Sequence, residues 1–194
     1  MAAKIKHKTR EAYLAAAIQK IRKLFKAAGL DDVPTCRVSC GFPRAKGGGG
    51  TAIGQAWSAD CSGDKTFEIF ISPALGKKDD VLATLVHECV HITVGLAAGH
   101  GPEFRKAAVA LGLEGKMTST TAGKELRKSL RTIGVSLGKY PHAALVPGET
   151  VKRNKNRHLK MSCASCDFHC RASFGAFHAF GAPEHCGAEM VMSV

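Results

Sequence analysis

The sequence predicts an α+β fold in two parts: a small antiparallel sheet packed among helices, then a compact cysteine-rich tail. Three observations carry this. Apolar residues recur at helical spacing on either side of three short strand-like runs. One helical segment is apolar nearly all round. A stretch broken by proline and glycine, and then highly charged, separates this body from the tail. These observations divide the 194 residues into a domain over 1–140, a basic linker over 141–160 and a small domain over 161–194. That length is enough for one real core plus an appendage.

The first element is an amphipathic helix over residues 9–28. Leu14, Ala17, Ile18, Ile21, Leu24 and Phe25 share one face, Lys20, Arg22, Lys23 and Lys26 the other, and Gly29 supplies a stop. Three strands follow, Cys36–Phe42, Thr51–Trp57 and Phe67–Ser72, bounded by Gly and Pro clusters. The spacer "PRAKGGGG" (43–50) reads as a hairpin-type loop. It is not a phosphate cradle, because no Gly-Lys-Ser/Thr ends the run. "KKDDVLATLVHECVHITVGLAAG" is the central helix, capped by Asp79 or Asp80, with Leu82, Leu85, Val86, Cys89, Val90 and Ile92 burying it. A shorter helix starts near Pro102 and another lies within 122–137. "GKYPHAALVPGETVKRNKNRHLK" is the linker.

Charge and cysteine usage narrow the class. The net charge of +12 points to an anionic partner, most simply nucleic acid. Eight cysteines in a chain with no apolar N-terminal signal read as reduced thiols in the cytoplasm, some of them metal ligands. No eighteen-residue apolar run occurs, so no membrane partner is expected.

The chemistry concentrates in "TLVHECVHITVGLAAGHGPEF". His87 and His91 stand four apart, on one helix face, and can reach the same ion. Zinc suits imidazole nitrogen, and a catalytic zinc keeps one position for water. Glu88, beside the first ligand, is placed to take that water's proton as general base. His100, flanked by Gly99 and Gly101, is the third ligand candidate; Glu103 is an alternative ligand or an orienting group. Eight residues separate His91 from His100, more than the five of the metzincin pattern. Tyr140 and His142 are the candidates for oxyanion stabilisation, and "FEIFIS" reads as a sheet edge able to hold an extended peptide.

In the tail, Cys163-x-x-Cys166 is half of a zinc knuckle and Cys186 is the third ligand. The fourth is His185, with Cys170 and His178 as rivals. Two zinc ions per chain are therefore expected, one catalytic and one structural. Lys152, Arg153, Lys155, Arg157 and Lys160 form an acid-free run suited to phosphates, and Phe168, Phe174, Phe177 and Phe180 offer stacking faces. Together they predict sequence-independent contact with single-stranded or junction DNA.

"HECVH" followed by "GHGPEF" resembles the SprT-like (Spartan-related) zinc metallopeptidases. "SCGFP", "IGQAWS", "EIFISPAL", "ALGLEGKMTSTTAG" and "LGKYPH" extend the likeness, the last two toward small bacterial and phage members. The resemblance spans roughly residues 30–190. It implies a gluzincin-like core, His87, His91 and His100 as zinc ligands, Glu88 as the catalytic carboxylate, and a C-terminal zinc ribbon. It also implies peptide-bond hydrolysis on DNA-associated or DNA-crosslinked protein. The alternative from another class is a non-proteolytic, nucleic-acid-associated regulator with structural zinc.

Overall fold

A computed structural model describes residues 5–43, 52–146 and 158–193. It is mixed α+β and divides into two units, Met1–Val146 and Pro147–Val194.

In the first unit, α1 (Arg10–Ala27) opens where the Thr9 hydroxyl accepts the Ala12 N–H at 3.1 Å. It buries Tyr13, Leu14, Ala17, Ile18, Ile21 and Phe25. Gly29, at φ 69°, ends it, because the left-handed turn lets the Leu30 N–H return to the Phe25 carbonyl. Three strands follow: β1 (Cys36–Cys40), β2 (Gly54–Trp57) and β3 (Phe67–Ile71).

The sheet order is β1-β3-β2, parallel between β1 and β3 and antiparallel between β2 and β3. The expected all-antiparallel sheet is therefore corrected to a mixed one. The expected hairpin over 43–50 is corrected too: β1 and β2 lie on opposite sides of β3, while 44–51 themselves fall outside the described residues. The physical reason is burial. "FEIFI" is the most apolar of the three strands, its Ile69 and Ile71 are fully buried, and it takes the centre. β3 is thus not the sheet edge that the sequence implied; β2 is an edge.

Helix α2 (Lys78–Val94) crosses the core, burying Val81, Leu82, Leu85, Val86, Cys89, Val90 and Ile92. Its N-cap is Lys77, without a side-chain cap; Asp79 and Asp80 lie inside the first turn, where their charge suits the helix dipole and Asp79 meets Arg131 at 3.4 Å. After a short 3₁₀ turn come α3 (Pro102–Ala110), with proline at its first turn, and a hairpin of β4 (Leu113–Lys116) and β5 (Ser119–Ala122). Then α4 (Lys124–Leu137) lays Leu126, Leu130, Ile133 and Leu137 on the core.

The first unit continues past the expected boundary at 140. Tyr140 is buried edge-on to Tyr13 at 5.0 Å between ring centroids. The buried Arg10 guanidinium donates to the carbonyls of Pro73, Pro141 and Ala143, and the Leu145 N–H donates to Pro73 O. These bonds hold the segment that proline content had marked as linker. Of the predicted basic run, Lys152, Arg153, Lys155 and Arg157 lie outside the described residues.

The second unit has a three-stranded antiparallel sheet of β6 (Leu159–Ser162), β7 (His169–Ala172) and, later in the chain, a third strand at Val191–Ser193, in the order third-β6-β7. Between them lie the short helix α5 (Phe174–Phe180) and a small hairpin of β8 (Glu184–His185) and β9 (Ala188–Glu189). Met161 and Met190 form its small buried centre. Among the described residues, no helix is long and apolar enough to cross a membrane.

Candidate metal centres

α2 carries His87 and His91 one turn apart. The chain then turns at Gly95 (φ 88°) and Gly99 (φ 53°), conformations that disfavour any side chain, and brings His100 back to them. The His100 Nε2 stands 3.3 Å from His87 Nε2 and 3.2 Å from His91 Nε2. Ring nitrogens about 2.0–2.1 Å from one tetrahedral ion would stand about 3.3–3.4 Å apart, so the trio fits such an ion. Burial, and then the charges of the neighbouring imidazoles, push His87 down to about 3. Burial, with His100 beside it, pushes His91 down to about 4, and burial lowers His100. Each shift favours the neutral form that ligation requires.

Two residues that the sequence reading did not single out complete this centre. The ring of Phe104, fully buried on α3, lies 4.9, 4.4 and 5.0 Å from the rings of His87, His91 and His100. It packs against all three. The Thr120 hydroxyl, on β5, lies 2.8 Å from His87 Nδ1. When Nδ1–H donates there, the Nε2 lone pair of His87 faces its two partners. "GHGPEF" holds the first of these residues in plain view. The second sits in a polar "TSTT" run whose contact to α2 is non-local.

Glu88 is 5% exposed and turns toward β2. Its carboxylate accepts the Ala56 N–H, and burial pushes its pKa up to about 8 despite that bond. Room for the carboxylate depends on Gly54: a Cβ there would lie 2.4 Å from Glu88 Oε1 and 2.6 Å from Thr84 Cγ2. Glu103 is exposed in the first turn of α3 and outside the histidine group. The oxyanion candidates do not join the centre either. Tyr140 packs on Tyr13 under Arg10, and His142 is exposed at φ 63°.

The second unit gathers the donor atoms of Cys163, Cys166, His185 and Cys186 within 4.8 Å of one another. Cys166 Sγ and Cys186 Sγ are 3.8 Å apart, and His185 Nδ1 lies 3.6 Å and 3.2 Å from them. Thiolates about 2.3 Å from one tetrahedral ion would stand about 3.8 Å apart. Cys186, at φ 52°, and Gly187, at φ 76°, make the turn that aims adjacent donors at one point. Phe168 stacks on His185 at 4.2 Å and 10°, fixing the ring plane. The rivals are placed elsewhere: Cys170 Sγ meets Met190 Sδ, and His178 packs on Phe174. All eight cysteines are free thiols.

These two groups define an α+β chain with two candidate metal centres, one of three nitrogens, whose first donor is followed in the chain by a buried glutamate, and one of four mixed donors. No family model, curated protein or solved structure matches the chain, so its reading rests on this geometry.

Proposed function

We propose that the chain is a zinc-dependent endopeptidase with a gluzincin-like core of the SprT-like kind, and that its tail is a structural zinc ribbon. One observation carries the reading. The histidine centre offers three donors, with Glu88, the residue after His87, buried, whereas the tail offers four, among the described residues. Three donors leave a position for solvent and four close the site. A purely structural centre has no use for a buried acid next to its first ligand.

When bound, zinc supplies a Lewis acid that brings the pKa of a coordinated water near neutrality. His87, His91 and His100 would hold that ion, with His87 oriented through Thr120. Glu88 takes the proton from the attacking water and passes it to the departing amine. Burial raises its proton affinity, which suits the donation to the amine, and the positive charge of a bound ion would favour the ionised form that the first transfer needs. The Ala56 N–H and the open face of Gly54 hold the carboxylate in place. β2, the edge strand beside Glu88, is the element that an extended peptide would extend by backbone pairing.

The substrates are proteins bound or crosslinked to DNA. The net charge of +12 supports this, as do the exposed rings of Phe168, Phe174 and Phe180 on the tail. The test compares wild type with Glu88→Gln on a DNA-bound protein, with and without single-stranded DNA. Zinc content should be two per chain in both proteins, and the variant should lose about 10²–10⁴-fold in rate. Equal rates, or one zinc per chain, would remove the reading.

A further inference from the structure

A groove of about 770 Å³ lies along the N-terminal half of α2, between it and residues of β5 and α4. At its inner end are Thr84, one turn before Glu88, and Thr120, which holds His87. Its floor is apolar, with Ile53, Leu75, Ala83 and Leu130. Its outer rim is cationic, with Lys77 and Lys78 on one side and Arg127 and Arg131 on the other. Among the described residues, Asp79 and Asp80 offset them, so that lining carries a net charge of 4 − 2 = +2. Beyond the rim, the exposed face of α4 adds Lys124 and Lys128, against Glu125. These cations share a trough with Thr84 and Thr120, which neighbour Glu88 and His87.

We infer that this groove is a substrate subsite that takes an acidic segment of the polypeptide being cleaved. The inference rests on the peptidase reading of the site and names its substrate preference. Two features favour a polypeptide over a nucleic acid. The groove is lined by Ile53, the residue before β2, and an edge strand is extended by another peptide backbone. Its floor is aliphatic with threonines, and among the described residues no aromatic ring lines it to stack a base.

The spacing follows from the helix. Lys78 and His87 are nine positions apart on α2, about 13–14 Å at 1.5 Å per residue. An extended peptide covers that in about four residues at roughly 3.3 Å each. The subsite therefore reads side chains about four residues from the scissile bond, on one side of it. Charge complementarity there steers and orients the substrate without touching the reacting bond.

The experiment uses the full zinc-loaded chain and paired peptides that differ only by Glu or Gln at single positions up to six residues either side of the scissile bond. Wild type should favour Glu by about two- to fivefold in kcat/KM at low ionic strength, at positions about four residues out on one side only, with the preference fading in salt. The Lys77→Glu/Lys78→Glu variant should invert the ratio. Both changes place an acid at a helix N-terminus, where it is tolerated. A second arm measures peptide binding to the Glu88→Gln protein by fluorescence anisotropy. If no peptide is cleaved yet acidic peptides bind more tightly through Lys77 and Lys78, the subsite stands and the peptidase reading falls. If all peptides are cleaved alike, the subsite falls and the peptidase reading stands. If an oligonucleotide binds through these lysines while peptides show no charge preference, the groove is a nucleic-acid site and the inference is overturned.

Discussion

Removing the Thr120 hydroxyl tests whether the β4–β5 hairpin tunes the histidine centre or only packs near it. Thr120→Val keeps the β-branched shape and deletes one oxygen, the one 2.8 Å from His87 Nδ1. His87 is partly buried, so its Nδ1–H would lose a short hydrogen bond with little water to replace it. A bond of this kind contributes about 0.5–1.5 kcal/mol net, and a buried donor left alone costs about 1–3 kcal/mol. The ring would also become free to present the wrong nitrogen. Partners of this sort are worth about 10–100-fold in metal affinity, or roughly 1.4–2.7 kcal/mol, which falls within the second range. The assay is zinc competition against a chromophoric chelator, which resolves the tight and weak sites separately. Only the histidine centre should weaken, while the cysteine centre should not move. Thr120→Ser, which keeps the oxygen, should recover most of the affinity. If Thr120→Val holds zinc within twofold of wild type, the hydroxyl does not orient His87.

Two further outcomes follow from packing. Gly54→Ala should reduce peptide cleavage by about 10²-fold, because a Cβ 2.4 Å from Glu88 Oε1 forces the carboxylate to shift, and displacements near 1 Å cost about that much; zinc content should stay at two, and wild-type cleavage would show that Glu88 has room elsewhere. The only two tyrosines, Tyr13 and Tyr140, are buried against each other, and burial, followed by the charge of Asp79, pushes Tyr13 up to about 12. A folded pKa above the unfolded one means the folded chain holds more protons. That stability is complete below pH 10 and is lost as pH rises from about 10 to 12. Tyrosinate absorbance should therefore appear together with loss of ellipticity; ionisation near pH 10 in a chain that stays folded would contradict the packing of residues 138–146 on α1.

Much of the fold was legible because its signals are local. The periodicity of Leu14 to Phe25 and of Leu82 to Ile92 marks α1 and α2, and Pro102 marks the start of α3. Strand existence was legible, but strand order was not. Pairing is a contact between distant residues, and the alternation within a strand does not say which neighbour it takes. Burial decided it by drawing the most apolar strand to the centre. The β4–β5 hairpin was missed because Met117 and Thr118 form its two-residue connection, with none of the Asn-Gly or Asp-Gly signals that mark such turns. Helix α5 was missed because seven residues are too few for a period, although the Ser173 hydroxyl, accepting the Ala176 N–H at 3.1 Å, does cap it.

The same distinction between local and distant contacts separates the donors from what positions them. His87 and His91 converge because a helix repeats every 3.6 residues, and His100 because two left-handed glycines turn the chain between them. Cys163 and Cys166 share one short turn, and His185 and Cys186 are adjacent at another. These spacings are readable in one dimension. Gly54, Ala56 and Thr120 are not, because they come from strands far from the histidine motif in the chain and reach it only through sheet and hairpin geometry. A motif can therefore nominate an ion and a base, while the pocket that makes the base useful is set by topology. This is why a three-donor centre with an acid buried at its side weighs more than the five-letter motif alone. Two core histidines placed by chance need neither a glycine that clears space for the carboxylate nor a hydroxyl aimed at the outer ring nitrogen.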